Sequence, residues 1–265
     1  MFPFTHTYIL KELYKDKEIP AEIVLGNIIL DIVGSFNLRE NGRNIQRELH
    51  DHIQTKEPVD GKYGKYELKN LFHRGIIIHV MADNYSRVGK YYRVNPPKTQ
   101  GFLKKLESSV EFYGLKVPKD KKGDFKRKTL QSGLDILVLR ESKEEQRYLI
   151  GKAMDYLREN QSELKKEMNK LTKVNEDDIQ TTFDDVLATY GTDFDRNILE
   201  PIRAYPAIRV VENLGNTQLT DEFIKKLENH EGYGVVLENL KLLEGVWKRC
   251  LRRTANKILK SPVNI

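Results

Sequence analysis

Between Tyr66 and Val88 apolar residues recur at spacings of three and four, and the stripe they draw does not stay apolar. At about 100° per residue, Leu68, Phe72, Ile76, His79 and Asp83 fall on one side of a helix. His79 and Asp83, four residues apart, project from the same face one turn from each other. The face that such a helix must bury therefore ends in an imidazole and a carboxylate. Burying both without compensation costs on the order of several kcal/mol. A metal ion offsets that cost well and a basic residue adequately, so this segment constrains fold and chemistry together.

The same spacing persists along most of the chain and predicts an all-α fold. Helices are expected over about Thr5–Tyr14 with Thr5 as cap, from Pro20 through Ile32, over Asn44–Gln54 and over Tyr66–Val88. Further ones are expected over Glu141–Lys170, Asp177–Leu187, Asp195–Leu214 (interrupted near Pro201 and Pro206), Thr220–Asn229 and Tyr233–Lys260, with Thr220 a good N-cap. Asn95-Pro96-Pro97 stops the fourth helix, and the lysine-rich run at 116–128 reads as a solvated loop. A loop facing phosphate or a membrane is the functional alternative for that run. It marks the expected boundary between a metal-binding helical core, residues 1–115, and a helical C-terminal region, residues 130–265. At 265 residues the chain is long enough to bury a core without disulfides or a structural metal.

Cys250 is the single cysteine, which excludes an internal disulfide and a cysteine-based zinc knuckle and fits a reducing compartment. The first residues, Met1-Phe-Pro-Phe-Thr-His6, lack the basic start and long apolar stretch of a signal peptide. No run approaches the roughly 20 apolar residues of a membrane span. A cytoplasmic protein is expected. The formal charge of +6 favours an anionic substrate or partner only modestly.

Five of the six histidines lie between residues 6 and 79, the exception being His230. Besides the His79–Asp83 pair, three segments carry donors. Phe4-Thr-His6-Thr-Tyr places an imidazole at the start of the first helix. Leu25-Gly26-Asn27-Ile28-Ile29-Leu30-Asp31 ends a wholly apolar helical stretch in an acid. Leu49-His50-Asp51-His52 holds two imidazoles that point different ways on a helix, so one of them faces inward. His73 points about 120° away from His79 and is expected in packing or solvent.

In this order, Thr5-His6-Thr-Tyr-Ile, Leu25-Gly26 through Asp31, the histidines near 50 and Gly75-x-x-x-His79-x-x-x-Asp83 resemble the zinc-dependent phospholipase C proteins. The single-strand-specific nucleases of the same helical fold show that order too. The resemblance spans about residues 1–90, a third of the chain. It implies metals held between helices and hydrolysis of phosphodiesters. Asp31, one of His50 and His52, His79 and Asp83 would hold one ion, with Asp83 bridging to a second ion that His6 also holds. The family's third ion uses a histidine six residues beyond the bridging aspartate. That position is Gly89 here, so a centre of one or two ions is expected.

A second resemblance is to the acyl-carrier-protein phosphodiesterases, near the HD-domain phosphohydrolases. It rests on the early histidine, Gly26-Asn27-x-x-x-Asp31 and the downstream histidine pair, and would make His50-Asp51 metal ligands. Both resemblances imply a metal-dependent phosphoester hydrolase acting on a phospholipid headgroup, a nucleotide or a nucleic acid. Histidine and carboxylate donors suit zinc, with manganese or iron as alternatives. Asp51, as a base or as the acceptor that orients a histidine, and Asp83 are the candidate catalytic residues. Arg74, Arg87, Lys90 and Arg93 follow on the fourth helix as candidate phosphate contacts.

The rival reading is a non-catalytic helical scaffold or a nucleic-acid- or partner-binding protein on a degenerate hydrolase fold. Lys248, Arg249, Arg252, Arg253 and Lys257 around Trp247 would supply its basic surface.

Overall fold

The computed structural model describes residues 3–15, 17–34, 40–50, 60–87, 101–191, 200–212, 214 and 220–261. The fold is all-α, with one short hairpin, Lys62–Tyr63 paired antiparallel to Tyr66–Glu67, as its β-structure among the described residues. Four helices build the N-terminal part: α1 (Pro3–Tyr14), α2 (Ala21–Val33), α3 (Glu40–His50) and α4 (Leu71–Arg87). Asp51 and His52 lie outside the described residues. The helix expected from Tyr66 begins only at Leu71, because Tyr66 is taken up by the hairpin.

Helix α2 explains the rest of the arrangement. Its sequence AEIVLGNIILDIV is apolar around its whole circumference, and Ile23 through Val33 are all buried. A helix without a polar face must be covered from every side. Helices α1, α3, α4 and the following α6 (Lys122–Glu159) all pack on it. The tightest crossing is with α4. A Cβ on Gly26 would stand 2.0 Å from the Phe72 carbonyl oxygen, and one on Gly75 would stand 2.3 Å from that of Ile23. Only glycine lets these two backbones come so close.

Helix α5 (Phe102–Leu106) precedes α6, and a 3-10 turn at Lys119–Lys121 leads directly into it. The lysine-rich run expected to be a loop is therefore half helix. Phe125 and Leu130 anchor its apolar side while its lysines stay at the surface. Helix α6 is kinked at Ser142 (φ −136°, ψ 36°), whose hydroxyl donates to the Val138 carbonyl at 2.9 Å. Such back-bonding bends helices. Before the kink, Thr129 through Leu139 are buried without interruption.

The helix expected over Glu141–Lys170 divides at Asn160, where α6 gives way to α7 (Gln161–Thr172). Then come α8 (Glu176–Tyr190), α9 (Glu200–Val211), α10 (Asp221–Glu228), α11 (Glu231–Glu238), α12 (Lys241–Glu244) and α13 (Trp247–Leu259). Thr220 caps α10, accepting the Phe223 N–H at 3.2 Å. Helix α9 packs along α6, and α13 closes over α1 and α4. Among the described residues no helix is long and apolar enough to cross a membrane.

Candidate metal centre

The glycine-mediated crossing of α2 and α4 sets the geometry of the site. One turn beyond Gly75, His79 is carried against the α2 backbone, and its Nδ1 lies 2.7 Å from the Asn27 carbonyl oxygen. A carbonyl only accepts, so Nδ1 carries the proton and Nε2 is left with its lone pair. That is the tautomer a metal-ligating histidine takes when a backbone carbonyl orients it. Burial holds the His79 pKa well below the usual 6.5, His6 and His50 act in the same sense, and Asp83 opposes them. The ring is neutral at neutral pH.

Helix α1 brings His6 face to face with His79, ring centroids 3.8 Å apart and planes 14° from parallel. The His6 Nε2 lies 3.5 Å from an oxygen of Asp31 and 3.5 Å from an oxygen of Asp83. His50, at the end of α3, stands edge-on to His79 with centroids 5.1 Å apart. His6, Asp31 and His79 each offer one donor atom within 4.8 Å of the others, and so do His50, His79 and Asp83. Five residues predicted from the sequence thus converge from four helices. His6 and His79 are fully enclosed, Asp31 and Asp83 retain 6% and 3% exposure, and His50 is half-buried.

Asp51 and His52, nominated as base and alternative ligand, are outside the described residues, as are Lys90 and Arg93. Arg74 does not face the cluster. Its guanidinium donates to the Leu68 carbonyl at 3.0 and 3.3 Å, at the opposite end of α4 from Asp83. His73 also stands apart: Nδ1 accepts the Glu67 N–H at 3.0 Å and Nε2 lies 2.7 Å from Glu167. His230 caps α11 and pairs with Glu212 at 2.6 Å. On α13 the basic run is partly neutralised, Lys248 by Glu141 and Arg252 by Glu12, while Trp247 packs into the core beside Tyr8. Cys250 is half-buried, and that burial raises its thiol pKa, so it is a poor nucleophile.

Thr5, expected as a cap, lies inside α1, because Pro3 already occupies the first turn, where proline is favoured. Its backbone N–H and hydroxyl both donate to one oxygen of Asp135 on α6, at 2.8 and 2.5 Å. Thr7 donates to Gln146 of the same helix. The guanidinium of Arg203 on α9 lies 3.8 Å above the Phe4 ring. These neighbours of His6 come from the C-terminal part and were missed. The signal was present for one of them, since Asp135 interrupts the apolar run Leu134–Leu139 much as Asp31 ends its own.

The arrangement gathers imidazole nitrogens and carboxylate oxygens at one buried point, a donor set suited to a divalent ion of the zinc, manganese or iron type. Comparison with protein-family models, with curated proteins and with solved structures finds no match for this chain.

Proposed function

We propose that the chain is a metal-dependent phosphoester hydrolase whose ion is held around His79 Nε2 by His6, Asp31, His50 and Asp83. The observation that carries this reading is the convergence of these five donors, with the His79 tautomer already set by Asn27. His79 has one lone pair to give, because Nδ1 is engaged with the carbonyl. The two overlapping donor trios therefore describe one shared ion more economically than two complete sites. When bound, such an ion would polarise a phosphoryl oxygen and make a nearby water more acidic. The chain's own residues would fix the ion's position and keep the inner side of the centre dry. The order of the motifs along residues 1–90 supports a phosphate ester as substrate.

Burial supports a second reading, in which the ion is structural. Four of the five donors are almost wholly enclosed, and His50 on α3 is the half-buried one.

The test begins with protein stripped by chelator and titrated with zinc, manganese or cobalt in a calorimeter. It continues with turnover of bis(p-nitrophenyl) phosphate and p-nitrophenyl phosphate. Binding and turnover are expected together, and His79→Ala or Asp83→Asn should weaken both by about 100-fold or more. Binding with thermal stabilisation and no turnover would establish the structural ion instead. Hydrolysis that persists in excess chelator would overturn the metal mechanism.

A further inference from the structure

His6 is the donor whose placement depends most on the second half of the chain. It sits in the first turn and a half of α1, where a helix has no intrahelical partner for its N–H groups. One of those groups, the N–H of Thr5, is anchored from outside together with two side-chain hydroxyls. Asp135 Oδ1 receives both the N–H and the hydroxyl of Thr5, while Gln146 takes the hydroxyl of Thr7. Phe4, on the other side of Thr5, is covered by the Arg203 guanidinium at 3.8 Å. Phe4, Thr5, His6, Thr7, Asp135 and Gln146 are all fully buried, and Arg203 is 3% exposed.

We infer that Asp135 is a positioning residue for the metal centre, holding Thr5 so that His6 Nε2 stays between Asp31 and Asp83. This rests on the metal-centre reading above and extends it to residues 130 positions away in the chain.

The physical case has three parts. A carboxyl oxygen accepting two bonds from one residue fixes both the height and the rotation of that residue. Placed at the N-terminal turn of α1, a carboxylate also lies at the positive end of the helix dipole. Finally, His6 Nε2 lies 3.5 Å from an oxygen of each of Asp31 and Asp83, so a small rotation of α1 that shortens one distance lengthens the other. Burial raises the Asp135 pKa, and Arg203 together with the two Thr5 bonds opposes that rise. Arg203 is thus the partner that favours the charged form of the anchor.

The experiment compares zinc affinity by calorimetry in the full-length wild type, Thr5→Val, Thr5→Ser and Asp135→Asn, each repeated in a His6→Ala background. Circular dichroism and thermal melting check that each variant folds. Thr5→Val, which keeps the shape and the backbone bond but loses the hydroxyl, should weaken zinc on the order of 10-fold, as outer-shell changes do. Thr5→Ser should restore most of that loss, and Asp135→Asn should weaken zinc at least as much as Thr5→Val. In the His6→Ala background neither change should move the affinity further. A folded Thr5→Val or Asp135→Asn that binds zinc like wild type would overturn the proposal, as would an equal loss with His6 already absent. Should Asp135→Asn fail to fold, the Thr5→Val and Thr5→Ser pair decides alone. Failure of the wild type to bind any divalent ion would instead remove the metal centre itself.

Discussion

The crossing of α2 with α4 and the crossing of α6 with α9 both bury ionisable groups, and they resolve the cost in different ways. At the first, imidazoles and carboxylates face one another: His6 with Asp31 and Asp83, His79 with His6 and His50. Burial holds His79 neutral, and the cluster sets imidazole and carboxylate donor atoms within 4.8 Å of one another. At the second, the acid Asp135 has the cation Arg203 as its electrostatic counterpart and two Thr5 donors as bonded partners. The second region sets one acid near one cation, while Asp135 Oδ2 and the Nε and Nη2 of Arg203 have no hydrogen-bond partner among the described residues. The first gathers donor atoms that could hold a metal ion, which sets a candidate site apart from a buried anchor.

Removing the cation of the second region should have the largest effect. Arg203→Met removes the guanidinium that lies over the Phe4 ring and the nearby charge that favours ionised Asp135, and should destabilise by about 3 kcal/mol. Denaturant unfolding with and without zinc measures it, and zinc should not abolish the difference. Asp31→Asn offers the contrast, since its main consequence should be lost zinc stabilisation. If zinc rescued Arg203→Met fully, or if Asp31→Asn stabilised by zinc like wild type, the distinction between the two crossings would fail.

The helix contacts differ as well, and alanine exposes it. At Gly26 and Gly75 a new Cβ meets backbone carbonyl oxygens at 2.0 and 2.3 Å, and backbone cannot step aside. Gly75→Ala should destabilise by about 3 kcal/mol, the upper range for overpacking, and should displace His79 from the Asn27 carbonyl. At Gly133 on α6 the nearest atoms are the flexible ends of Leu243 and Leu240, at 2.9 and 3.1 Å. Gly133→Ala gains about 1 kcal/mol of helix propensity against that crowding, so its net change should stay within about 1 kcal/mol of zero. Equal losses for the two variants would show that the α2–α4 approach is not set by its glycines.

What could be read from the sequence follows from the same contrast. His79 and Asp83 were legible because they continue an apolar stripe, and Asp31 because it ends one. Both patterns signal burial, and burial of such groups demands a partner. Asp135 carries the same signal, yet its neighbours Thr129–Leu139 are buried all round. Without a polar face there is no helical period to reveal α6 there. The lysine-rich run just before it mimics a loop, although charged side chains sit readily on a helix whose Phe125 and Leu130 are buried. Gln146 and Arg203 could not be foreseen, because each lies among charged or mixed residues and gains its role only when α6 and α9 fold over the start of α1. The meeting of four helices at His79 was likewise an expectation of order along the chain. Spacing orients residues within one helix and does not place separate helices together.

Acid sensitivity carries the smallest effect, and it divides the two regions by sign. Burial holds His79 well below its usual 6.5, so under mildly acid conditions the unfolded chain takes up a proton that the folded chain refuses. Stability at this group is therefore complete above pH 6.5 and falls as pH drops below it. His73 acts in the same direction, because burial outweighs the opposing pull of Glu167. Asp135 acts in the other. Its raised pKa lets the folded chain bind the proton first, so stability recovers as pH falls through the folded value toward 3.8. In chelator, unfolding curves from pH 8 to 5 should show a loss approaching about 1.4 kcal/mol per pH unit for each histidine well below 6.5. His79→Asn should flatten that slope by one proton, while Asp135→Asn should alter the curve only in the carboxylate's own range and with the opposite sign. A slope unchanged in His79→Asn would mean that this ring is not held neutral by its enclosure.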